Sequence, residues 1–154
     1  MTRFVEEALA GEADSDVFAR LLYNYGLWSR GGGCRGWFHG LISHESCVID
    51  DDSALQVDKA VQRVLRERRP KLYVLFSMYY IRGFNEYEIT SRLKRKKFIR
   101  SRVRRKDFFE YNYATDGALR YLNASTVRDL IVYSEKLVFE EMRIQYESSA
   151  RQAE

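Results

Sequence analysis

One proline, Pro70, stands in a chain of 154 residues. Proline removes a backbone donor, breaks helix interiors and crowds the turns of strand-and-loop folds, so its near absence favours long helices. Hydrophobic residues at 45% and aromatics at 14% supply the apolar surface for a packed core and argue against wholesale disorder. The expectation is an all-α fold: a single compact helical domain over residues 15–147, with a flexible N-terminus (1–14) and a frayed tail (148–154). No apolar run follows Met1-Thr2-Arg3, and no stretch approaches the roughly 20 apolar residues needed to span a bilayer. A cytoplasmic protein with no membrane partner is expected, its two cysteines reduced or metal-bound rather than paired.

Hydrophobic spacing places the helices. Phe18, Leu21, Leu22 and Tyr25 recur at helical intervals from Asp16 to Trp28, with Ser15 as the cap and Gly31-Gly32-Gly33 as the stop. Val5 and Leu9 allow a short helix within residues 1–12. Asp50-Asp51-Asp52 opens the next segment, in which Leu55, Val57, Ala60, Val61, Val64 and Leu65 read as one buried stripe. Its acidic start and its RERR end both suit the helix dipole. Pro70 then sits in the first turn of a helix through Leu72, Leu75, Met78, Tyr79 and Ile81, ended by Gly83. Asn85 and Glu88 form a capping-box pair for a helix whose inner face is Ile89 and Leu93. A final helix from about Ser125 carries Val127, Ile131, Ser134, Val138 and Met142 on one stripe, with Leu130 and Leu137 beside it.

The formal net charge of +4 conceals an asymmetry. From Arg92 to Lys106, ten of fifteen residues are Lys or Arg and none is acidic, while the other sixteen basic residues face twenty-two acidic ones. Such a block is the electrostatic footprint of a phosphate-binding surface. The plainer reading, a solvated helix face, normally mixes signs.

Every cysteine and histidine falls within fourteen residues, as Cys34, His39, His44 and Cys47. The spacing C-x4-H-x4-H-x2-C offers four ligands that zinc accepts, but it matches no common zinc module, and an incidental loop explains it as well. Zinc is the metal these four residues could hold, but the expected cofactor set is none. Glu45 with Asp50, Asp51 and Asp52 could bind a divalent cation for phosphodiester hydrolysis. Consecutive carboxylates cannot all turn toward one metal, however, and a helix start explains three of them. A metal-dependent nuclease is the weaker alternative, and no enzymatic activity is expected.

The helix pair LYVLFSMYYIRGFNEYEITSRL has the form of the front half of a region-4-like helix-turn-helix, in which the second helix braces a recognition helix. Simple two-helix hairpins share this pattern. The segment that follows makes a poor recognition helix. Lys94, Arg95, Lys96, Lys97, Arg100, Arg102, Arg104, Arg105 and Lys106 would grip backbone phosphates through counterion release without discriminating bases. NASTVRDLIVYSEKLV is the better reader, with Ser125, Thr126, Arg128 and Asp129 on its first turns, Tyr133 and Lys136 further along, and Arg92 on the bracing helix. An ordinary packing helix would show the same amphipathic pattern. The motif is therefore read as interrupted by a basic insertion over about residues 94–123.

WSRGGG after a helix, then DDDSALQVDKAVQRVL, then PKLYVLFSMYYIRGFNEYEITSRL, resembles the phage late-gene antitermination protein Q family. ASTVRDLIVYSEKLV is similar to the recognition helix of that family, and the likeness covers roughly residues 22–93 and 123–140. In the commoner family pattern the recognition helix follows the bracing helix almost at once. Here about thirty residues, Lys94 to Asn123, stand between them. The resemblance implies a non-enzymatic factor of the host bacterial cytoplasm that binds double-stranded DNA beside a late promoter. It would engage RNA polymerase and its sigma factor at a promoter-proximal pause and carry the enzyme past terminators. Nascent RNA and a second copy on DNA are further expected partners. A plain helix-turn-helix repressor or sigma-like factor is the first alternative. An RNA-binding module is another, supported by basic and aromatic residues interleaved from Lys94 to Tyr121.

Overall fold

Side-chain caps start most of the helices. In a computed structural model of the chain, which describes residues 3–31, 49–94 and 122–153, Ser15 Oγ accepts from the Phe18 amide at 3.2 Å and opens α2 (Asp16–Arg30). Asp50 accepts from the Ser53 amide at 3.3 Å and opens α3 (Asp51–Val61). Asn85 and Glu88 exchange reciprocal bonds of 2.9 and 3.3 Å at the start of α5 (Glu86–Lys94). Asn123 accepts from the Thr126 amide at 2.8 Å at the start of α6 (Ala124–Ala153). Each cap satisfies a donor that the first helical turn leaves unpaired and is worth about 1 kcal/mol. Pro70, whose missing N–H costs nothing at this position, opens α4 (Pro70–Phe76). The first helix, α1, spans Arg3–Ala10. No strand occurs among the described residues, so the fold is all-α there.

Two helices end in π-helical turns. α3 continues through Gln62–Arg66, where the Glu67 amide bonds Gln62 O at 3.0 Å, and α4 through Ser77–Ile81, where the Arg82 amide bonds Ser77 O at 2.9 Å. Such turns insert an extra residue, bulge the backbone and re-aim the side chains beyond them. The second one meets α2 at Gly26. A β-carbon placed on Gly26 would lie 1.9 Å from the carbonyl oxygen of Tyr80, so only glycine admits this approach.

One core joins all six helices. α6 runs along it and packs against α1, α3, α4 and α5, with Val127, Ile131, Ser134, Val138 and Met142 buried in a single stripe. Phe18 and Phe139 meet edge to face at 5.0 Å, and the Ser134 hydroxyl is satisfied inside the core by Ile131 O at 2.6 Å. Polar pairs pin the helices laterally. The Tyr25 hydroxyl donates to Asp58 at 2.6 Å and Trp28 Nε1 to Asp51 at 2.9 Å. Burial, together with Asp58, pushes the Tyr25 phenol far above its ordinary range, so it stays protonated as the donor.

One expectation is corrected and two stretches gain detail. Residues 3–10 form a helix whose Val5, Ala8 and Leu9 are buried and tie α1 to α2 and α6. α6 continues to Ala153, with residues 147–153 exposed. Leu55 is 53% exposed rather than part of the α3 stripe, since it stands two residues from Val57 and no helix puts i and i+2 on one face. Ala54 takes its place in the core.

Replacing Gly26 with alanine should therefore destabilise the protein by about 1–3 kcal/mol or more, although alanine is the better helix former by about 1 kcal/mol. Urea unfolding of the two proteins gives the sign, and a more stable alanine variant would contradict the close approach.

Candidate nucleic-acid interface

The exposed face of α6 follows from its buried one. With about 100° per residue, Ser125, Thr126, Arg128, Asp129, Tyr133 and Lys136 fall within an arc of about 160°, opposite the stripe of Val127, Ile131, Ser134 and Val138. Ser125, Arg128, Asp129, Tyr133 and Lys136 are exposed, and Thr126 is half-buried beside its cap. Val132, 38% exposed, lies among them and adds an apolar contact that sequence reasoning did not single out. The helix thus offers hydroxyls, a carboxylate, two cations and an aromatic ring from one surface, next to a capped N-terminus whose dipole favours anions.

Side chains on other elements frame this surface. Arg69, ahead of α4, donates to the Tyr133 hydroxyl and lies over its ring at 5.4 Å from the centroid. On the other edge the Tyr80 hydroxyl donates to Glu135. Arg128 shares that edge: it lowers the Glu135 pKa, though burial raises it more. Tyr79 stands in the fields of Glu86, Glu135 and Arg128, and burial and the two carboxylates push its hydroxyl pKa up. The exposed Arg128 guanidinium thus lies within electrostatic reach of one carboxylate, Glu135, and one phenol, Tyr79. Sequence reasoning missed Arg69, Tyr80 and Glu135, because the pairs they make span 64 and 55 residues of chain.

The Arg92 guanidinium lies over the Phe84 ring, 5.2 Å from its centroid. Lys94 is exposed at the end of α5. Arg95, Lys96, Lys97, Arg100, Arg102, Arg104, Arg105 and Lys106 lie outside the described residues, as do the zinc candidates Cys34, His39, His44 and Cys47, and Glu45. Two of the carboxylates weighed for a cation have structural partners: Asp50 caps α3 and holds the Ser53 hydroxyl at 2.6 Å, and Asp51 takes the Trp28 indole. No cluster of metal-binding side chains occurs among the described residues. Nor is any helix there long and apolar enough to cross a membrane.

Glu135 provides a pH handle on this edge. Its folded pKa is raised by burial above the ordinary carboxylate value, so the folded state holds the proton more tightly than the unfolded chain. Stability is unaffected where both states are protonated and is lost as pH rises from the ordinary value through the raised one. Glu135→Gln keeps an oxygen for Tyr80 and removes this titration. Subtracting its urea midpoints from those of the parent protein across that window should give a difference that falls with pH and then levels. A flat difference would mean that Glu135 is not desolvated.

Against known proteins, the chain matches no family model, no curated protein and no solved structure.

Proposed function

We propose that the chain is a transcription antitermination factor. It reads duplex DNA near a phage late promoter through the first turns of α6, with α5 as the brace of an interrupted helix-turn-helix. It then loads onto RNA polymerase paused with its sigma factor and carries the enzyme past terminators. The observation that supports this most is the polarity of α6. Ser125, Arg128, Asp129, Tyr133 and Lys136 face outward from a capped start while the opposite stripe is anchored on the core. An exposed N-terminal turn with such side chains is what major-groove readers use, because hydroxyls, amides and guanidiniums match base-edge donors and acceptors. The sequence likeness to the antitermination family and the cationic block from Arg92 to Lys106 point the same way. In this reading the block contacts phosphate of nascent RNA or the polymerase surface, where charge matters more than base readout.

Two sets of substitutions divide the roles. Arg128→Ala should weaken binding to the specific site by about tenfold, the 1–3 kcal/mol scale of one base-edge contact. Alanine at Arg100, Arg102, Arg104 and Arg105 together should spare site recognition and abolish readthrough in a purified transcription reaction with a downstream terminator. Loss of site recognition in the fourfold variant, with Arg128→Ala behaving as the parent, would overturn this division. A repressor would leave readthrough unchanged when the intact protein is added.

A further inference from the structure

The outward side of α5 carries a second surface. Gly83, at φ 76°, turns the chain out of α4, and the Phe84 amide bonds back to Met78 O at 2.9 Å. That bond fixes the backbone of Phe84 at the foot of α5. The guanidiniums of Arg82 and Arg92 lie over the ring at 5.0 and 5.2 Å from its centroid. Tyr87, one helical turn from Ser91, is 76% exposed. Phe84, Tyr87, Glu88, Ser91 and Arg92 line a shallow hollow open to solvent.

We propose that this hollow is a stacking site for an unpaired nucleobase of a single-stranded nucleic acid. Tyr87 supplies the exposed ring, Ser91 a hydroxyl for the base edge or sugar, and Arg92, its plane set by Phe84, the cation for the adjoining phosphate. Base–aromatic stacking beside a guanidinium is the common means of holding single strands, because every base presents a π-face. The lining contains no aliphatic side chain, whereas a groove for a partner helix needs aliphatic anchors at i, i+3 and i+4. Charge also favours a polyanion, for α5 ends at Lys94 and the chain continues directly into the densest cationic stretch of the sequence. A paired base cannot stack there, so the site selects single strands over duplex. None of its lining residues belongs to α6, so the site stands whether or not α6 reads DNA.

The test is fluorescence anisotropy of the full chain with labelled uridine and thymidine decamers and with a duplex of mixed sequence. The intact protein should bind a decamer, and Tyr87→Ala should weaken that binding at least about fivefold, the lower end of one stacked base. Tyr87→Phe, which keeps the ring, should stay within twofold of the parent. Duplex binding should be the same in all three proteins. With its ring mostly in solvent, Tyr87 is replaceable without loss of the fold, which a thermal melt verifies. Preference for uridine identifies RNA as the source, and equal affinity identifies any single strand; both support the site. Failure of the intact protein to bind either decamer would overturn it. So would indifference of single strands to Tyr87→Ala, an equal loss on duplex, or a Tyr87-dependent affinity for a glutamate-rich peptide.

Discussion

The backbone contact between Gly26 of α2 and Tyr80 of the π-turn is the constraint from which most of the arrangement follows. It places two backbones closer than any side chain permits. At that distance Arg30, at the end of α2, reaches the carbonyl of Ile81 with Nε at 2.7 Å and closes the C-terminus of the neighbouring helix with a cation. The chain then reverses at Gly83, and the direction of α5 is set. The same π-turn aims the Tyr80 hydroxyl at Glu135 of α6. One close approach thus orients both the bracing helix and the helix that carries the outward polar face. Its rigidity comes from steric exclusion, which is steeper with distance than any of the hydrogen bonds around it.

The charge distribution has a structural side as well. Several acidic residues are engaged between helices: Asp51 with Trp28, Asp58 with Tyr25, Glu135 with Tyr80, and Glu141 with Arg63 at 3.4 Å. Buried hydroxyls and indoles need acceptors, and carboxylates provide them at the helix interfaces. Part of the acidic excess outside the cationic block therefore belongs to the packing of the core. The block itself contains no acid with which to form such pairs.

Much of the helical framework was legible from residues close in sequence. The caps at Ser15 and Asn85, the acidic start at Asp50–Asp52, the first-turn Pro70 and the stripe of α6 act within one or two turns, and the structure has all of them. Leu55 misled because the stripe was drawn through too many apolar residues, two of them at i and i+2. α1 was left loose because eight residues are marginal as a helix alone, and its three buried side chains find their partners only on α2 and α6. Of the α6 surface, the outward residues were readable as the complement of the buried stripe. Its frame was not, since Arg69 meets Tyr133 across 64 residues. Nor was the hollow on α5, which depends on the turn at Gly83 that sets Phe84 beside Tyr87 and Arg92.

The sequence by itself determined which segments are helical, where most of them start and which face of each turns inward, because those signals act across a few residues of one backbone. Tertiary structure alone decided where the helices meet and which side chains are brought together on the outside. Those outcomes depend on the path of the chain through two π-turns and on a glycine contact between residues 54 positions apart, and no local pattern encodes them.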